Sequence, residues 1–158
     1  MKRWLVALLL IGWLVSPVQA RKPNILFIFT DDQAPWALGA SGNRLAKTPH
    51  MDRIAREGAY LPNAYTVTPV CSPSRAALMT SRYGTEVGIT DWIHPRREAR
   101  LGLDPKLPVW PRELKKAGYH TALVGKWHLG RQDNQHPTRY GFDHFMGHRQ
   151  GGWSPVNP

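Results

Sequence analysis

The chain has 158 residues, 21 Lys and Arg against 11 Asp and Glu for a formal charge of +10, a single cysteine, and 42% hydrophobic residues. One cysteine cannot pair within the chain, which excludes an internal disulfide framework, and this length holds one ordinary domain rather than a large two-domain enzyme. Seven Trp, five Tyr and four Phe in a chain only 20% charged argue against disorder.

At the start, Lys2-Arg3 precedes an apolar run from Leu5 to Val15, and Val18-Gln19-Ala20 offers a small-residue cleavage site. This pattern predicts a signal peptide over residues 1–20 and an exported product, periplasmic or extracellular. The apolar run is shorter than the roughly 20 residues that span a bilayer, and the leader has no cysteine to lipidate, so no membrane span is expected. Without the leader, 19 basic and 11 acidic groups leave +8. The longest basic clusters are Arg96-Arg97 and Lys115-Lys116, with no stripe or module for nucleic acid; an attraction for anionic substrates stays open.

Asn24 to Thr30 is apolar on both faces and rich in β-branched and aromatic residues, which predicts a buried parallel strand ending at Asp31-Asp32. Thr48-Pro49 reads as an N-cap and first-turn proline, Met51, Ile54 and Ala55 have helical spacing, and Gly58 closes a short helix. Ala59 to Val67 reads as extended. Ser72-Pro73 again resembles a cap plus proline opening a helix through Ala76 and Met79, which sets Cys71 at a helix N-terminus. Residues 84–108 read as a long surface loop. Pro111 opens a third helix, with Leu114 and Ala117 inward and Gly118 past its end, and Tyr119 to Val124 is a second strand. The fold class expected is α/β, a parallel-sheet core flanked by helices, with ligands at the carboxyl ends of strands.

Three polar clusters lie where such a sheet binds ligands. Asp31-Asp32 is either a turn or a pair of hard oxygen donors for Ca²⁺ or Mg²⁺. Cys71 is either a small buried hydrophobe or a reactive thiol beside Arg75. Lys126 and His128 are either solvated side chains or members of a loop constrained by Gly125, Trp127 and Gly130. His144 and His148, four apart, suggest zinc only on a helix, and Gly147 and the lack of a third ligand argue against it.

Taken together these clusters carry a resemblance. Cys71-Ser72-Pro73-Ser74-Arg75 followed by Leu78-Met79-Thr80 resembles the signature of the type I sulfatases, formylglycine-dependent members of the alkaline phosphatase-like superfamily. Around it, in the family's order, stand Pro23-Asn24-Ile25-Leu26 running into Asp31-Asp32, Thr48-Pro49-His50-Met51-Asp52-Arg53, Glu57-Gly58, and Gly125-Lys126-Trp127-His128-Leu129-Gly130; Gly141-Phe142-Asp143-His144-Phe145 resembles the segment that follows. Ser81 departs from the pattern, which has glycine there.

The resemblance implies that a maturation enzyme converts Cys71 to formylglycine, whose hydrate attacks the sulfur of a sulfate ester and then expels sulfate. It implies Asp31, Asp32 and the modified Cys71 as ligands of Ca²⁺, or of Mg²⁺, and Arg75 as the residue holding the modified side chain. Lys126 would contact sulfate oxygens, and His128 would bond the formylglycine hydroxyl and help to deprotonate it. The implied substrate is a sulfated small molecule or carbohydrate. Sulfatases are much longer than this chain and take further metal ligands from later strands. Residues 21–158 are therefore expected to be a truncated N-terminal part of the catalytic domain, incomplete as an enzyme by itself. Two alternatives stand beside sulfate-ester hydrolysis: a phosphonate or phosphate ester hydrolase of the same superfamily, and an inactive ion-binding fragment.

Overall fold

The computed structural model describes residues 21–152; the predicted signal peptide at 1–20 and the last six residues lie outside them. The chain divides after Gln33 into two units.

In the first unit, residues 24–30 are not assigned as a strand, and Ile25, Leu26, Phe27, Ile28 and Phe29 are exposed. The predicted buried strand is therefore corrected. The segment keeps one mark of extension, since Phe27 and Phe29, two apart, bring their rings to 6.1 Å on one side. A strand needs a neighbour to complete its ladder, and the described ladder joins two other segments.

The second unit holds the core. Helix α1, Pro49–Glu57, has Thr48 as N-cap and ends at Gly58. Its predicted polar-apolar division exists in sequence, but Met51 and Ile54 are exposed, and Gly58 has φ −115° rather than the left-handed value a closing glycine usually adopts. Thr48 and Asp52 instead tie the helix to the preceding turn: Asp52 Oδ1 accepts from Ala40 N at 2.8 Å and from Thr48 Oγ1 at 2.9 Å.

Helix α2, Cys71–Thr80, starts earlier than the Ser72-Pro73 pattern predicts, with Val70 as N-cap. Pro73 is third in the helix, where its missing N–H costs nothing because first-turn donors have no helical acceptor. Ser72, Pro73, Ala76, Met79 and Thr80 are buried, the inward stripe of a helix lying on a core. The helix closes at Ser81 with φ 56°, a left-handed conformation that disfavours any residue with a Cβ. Ser81 thus lies past the helix rather than within it.

Residues 84–108, expected at the surface, supply Ile89, Ile93 and Leu103 to the core cluster, which also includes Val109, Trp127, Leu129, Tyr140 and Phe142. Helix α3, Trp110–Lys116, follows with Pro111 in its first turn; Gly118 lies beyond its end with φ 84° as expected, whereas Ala117 is exposed rather than inward.

Strand β1, Ala122–Lys126, starts three residues later and ends two residues later than the predicted strand, and pairs in parallel with β2, His144–His148, in the register Ala122 to His144 and Lys126 to His148. The His144–His148 pair is therefore on a strand, about 13 Å apart at 3.3 Å per residue, too far to share an ion. The ladder is anchored at its start by Asp143, which takes Thr121 N at 2.9 Å and an ion pair from Lys115. Those bonds, the Lys115 contact foremost, hold its carboxyl far below the ordinary carboxylate range.

Ser81→Gly is expected to stabilise the protein by about 1 kcal/mol, the cost of a Cβ in a left-handed cap. Thermal and urea melts would show a raised midpoint with an unchanged urea m-value; a lowered midpoint would contradict the strain assigned to Ser81.

Candidate active site

The site is built where α2 meets the turn leaving β1. Lys126 is the last residue of β1, and the parallel ladder runs one residue further through Trp127 N to His148 O at 2.9 Å. Trp127 and Leu129 then enter the core on either side of His128. Trp127 packs against Tyr140 at 4.9 Å and edge-on to Phe142 at 6.4 Å, and its indole N–H donates to Gln135 O at 2.9 Å. Leu129 O accepts from Leu103 N at 2.9 Å, while the Tyr140 hydroxyl donates to Leu103 O. Burial, with Asp104 nearby, pushes the Tyr140 phenol well above its usual value.

His128 itself is 2% exposed and has φ 54°. A left-handed non-glycine residue costs roughly 1–2 kcal/mol; burying a large apolar side chain such as Leu129 returns about 1.5–3 kcal/mol, so the flanking residues outweigh the strain and hold the turn. Gly125 and Gly130, which bracket the turn, also have positive φ. The side chain of Gln135 closes the turn from outside: its Oε1 accepts from Arg131 N and Gln132 N, both at 3.1 Å, and its Nε2 donates to Arg100 O.

Two connections bolt α2 to this turn. Arg75, one helical turn after Cys71, donates from Nη1 to Lys126 O at 2.8 Å. Ser72 Oγ accepts from Ile93 N at 3.0 Å, and Ile93 O takes the Nε2 proton of His128 at 3.0 Å. Cys71 lies at the start of the same helix, half-buried. The structure thus joins the elements carrying Cys71, Arg75, Lys126 and His128 into one frame.

Asp31 and Asp32 belong to the first unit and are exposed, Asp32 with φ 52°, a conformation aspartate tolerates better than most residues. Among the described residues no three His, Cys, Asp or Glu gather as a metal-binding group. Two adjacent carboxylates are the right kind of donor for a hard cation but fall short of the six to eight oxygens Ca²⁺ takes.

Ser72, Ile93, Trp92 and Gln135 were not legible as site residues. For Ser72 a signal existed: with Ala76 and Met79 it follows the helical i, i+4, i+7 spacing of the buried stripe. Trp92, exposed on a loop, sets its ring 4.9 Å from His94 and 6.4 Å from His128; nothing in the local sequence marks it.

A model of the sulfatase family matches residues 23–157. Steryl-sulfatase from Mus musculus is 43% identical over 139 residues, covering 80% of this chain and 22% of that protein. N-acetylgalactosamine-6-sulfatase from Homo sapiens is 43% identical over 131 residues, covering 79% of this chain and 25% of that protein. This chain spans about a quarter of the length of the curated relatives it matches. Among solved structures, Ps i-CgsB superposes with a TM-score of 0.80 at 36% identity, covering 85% of this chain and 30% of that one, and has also been solved with k-i-k-neocarrahexaose. A protein solved with its substrate D-glucosamine-2-N,6-O-disulfate superposes with a TM-score of 0.67 at 38% identity, covering 79% of this chain and 23% of that one.

Arg75→Met removes a charged donor from the Lys126 carbonyl while keeping much of the side-chain bulk. It is expected to cost about 1.5–3 kcal/mol, the range for a hydrogen bond to a charged group, read as a lowered urea midpoint. A midpoint equal to the parent's would show that this bond does not hold the turn.

Proposed function

The chain belongs to the sulfatase family, and from that premise we propose that these residues form the N-terminal portion of an enzyme that hydrolyses sulfate esters, with Cys71 as the precursor of its nucleophile. The observation that carries this reading is the frame just described, in which the helix headed by Cys71 is fastened to the Lys126–His128 turn through Arg75 and through Ser72 and Ile93. Such a frame fixes the helix start that carries residue 71 relative to the turn that carries Lys126 and His128, the kind of positioning a displacement at sulfur requires.

A formylglycine hydrate at position 71 would supply a nucleophilic hydroxyl and, after transfer, a second hydroxyl for releasing sulfate. The ammonium of Lys126 would meet the sulfate oxygens as charge develops on them. His128 has its Nε2 committed to the Ile93 carbonyl, so a neutral imidazole keeps Nδ1 as its basic atom, the one that would serve a hydroxyl at position 71. Arg75 adds positive charge beside the nucleophile and, through the Lys126 carbonyl, sets the end of β1.

Asp31 and Asp32 would hold a hard divalent cation, Ca²⁺ or Mg²⁺, with further oxygen donors completing the shell. When bound, the ion would polarise the sulfate and favour the ionised nucleophile.

The substrate class we propose is a sulfated carbohydrate. The sugar ligands of the two solved relatives support it, as does the exposed indole of Trp92 beside His128, since an aromatic face suits the apolar face of a ring substrate. The leader at 1–20 supports export to the periplasm or the outside of the cell, where polymeric sulfated sugars are met. Maturation would need a formylglycine-generating enzyme in the host.

The protein purified from its own host should carry a peptide spanning residue 71 that is about 18 Da lighter than the thiol form, the thiol-to-aldehyde change. The same preparation should release sulfate from N-acetylgalactosamine 6-sulfate, and Cys71→Ala should lower that rate by about a thousandfold or more, as loss of a covalent nucleophile does. An unmodified thiol in the native host, or faster cleavage of a phosphate monoester than of the matching sulfate, would overturn the reading; the second result would favour the phosphate or phosphonate ester alternative.

A further inference from the structure

We propose that Ser72 is a positioning residue for His128: its hydroxyl holds Ile93, and the Ile93 carbonyl in turn fixes which imidazole nitrogen carries the proton. The inference rests on the functional reading above only in taking His128 as the site's base.

The three residues form a dry relay. Ser72 is 0%, Ile93 3% and His128 2% exposed. The Ile93 amide donates to Ser72 Oγ at 3.0 Å, and the Ile93 carbonyl is 3.0 Å from His128 Nε2. A carbonyl can only accept, so Nε2 must carry the hydrogen, and the neutral ring is the Nε2–H tautomer with its lone pair on Nδ1. A single residue, Ile93, therefore links a hydroxyl on the first turn of α2 to the proton position of the imidazole. Burial leaves no water to replace Ser72, so an Ile93 amide deprived of its acceptor must move to find another, and the carbonyl moves with it.

The ring is also confined from another direction. A Cβ on Gly151 would lie 2.5 Å from His128 Cε1 and 2.7 Å from Nε2, closer than any real Cβ contact, so the chain after β2 passes against the imidazole only because residue 151 is glycine. The Ile93 carbonyl fixes the tautomer, and Gly151 leaves room for the ring to stay there.

The consequence for chemistry is that the residue following Cys71 sets the base that would act on the group at position 71. Both are in one helical turn, so a shift of α2 moves nucleophile and base together.

Nitrogen-15 NMR of the 158-residue chain with labelled histidine tests this without recourse to turnover. The parent should show His128 as a single Nε2–H tautomer. Ser72→Ala should shift the tautomer ratio by about fivefold, the equivalent of one ordinary hydrogen bond, and Ser72→Thr, which keeps the hydroxyl, should restore the parent signature. Gly151→Ala should displace the ring resonances while leaving Ser72 in place. If Ser72→Ala does not fold, Ser72→Cys, a weaker acceptor of similar size, reads the same ratio. A Ser72→Ala or Ser72→Cys protein with the parent's tautomer would overturn the proposal, as would a parent in which Nδ1 carries the proton. Absence of sulfate release by the full-length enzyme purified from its own host would defeat the functional reading and leave this one standing.

Discussion

The arrangement depends on one turn, Trp127-His128-Leu129, in which a histidine with left-handed backbone is held between two buried neighbours. A polar ring in the core and a strained φ are both unfavourable, and each is offset by a specific partner: the Ile93 carbonyl for the ring, and the burial of Trp127 and Leu129 for the backbone. Because the turn leaves the end of β1 and α2 lies against it, the same packing that stabilises the unit brings Cys71, Arg75, Lys126 and His128 into one frame. Fold and site here share their contacts.

The two units differ in how far they carry function. The second is knit by the core, by the Gln135 amide and by the parallel ladder through Asp143 and Thr121. In the first, Ile25 to Phe29 are exposed, and Asp31 and Asp32 follow them. The metal-binding part of the proposed mechanism rests there, on carboxylates whose oxygen donors suit a hard cation in kind but not yet in number. The nucleophile and base side of the mechanism rests on the better-built part of the molecule.

The proposed chemistry rests on sequence more than the packing does. Cys71, Arg75, Lys126 and His128 were legible because short fixed spacings and their order along the chain carry the family's pattern. The start of α2 was misjudged because proline suits several positions of a first turn, and Pro73 occupies the third rather than the first. Residues 84–108 read as surface because an irregular segment has no hydrophobic period, yet Ile89, Ile93 and Leu103 are buried. Residues 24–30 were read as a buried strand because the run is apolar, but a strand also needs a neighbour, which no local pattern supplies, and the segment is exposed. Ile93 could not have been found as a site residue, since it acts through its backbone.

The most direct test of the frame is amide hydrogen exchange at Ile93, whose N–H would donate to a buried hydroxyl rather than to any regular ladder. If α2 and the 127–129 turn form one rigid frame, the Ile93 amide and the Trp127 indole N–H should exchange only through opening of the whole unit, at the slow rate of the β1 amides paired with β2. Exchange of Ile93 at the rate of an exposed loop, while β1 stays protected, would contradict the frame and with it the fastening of α2 to the 127–129 turn.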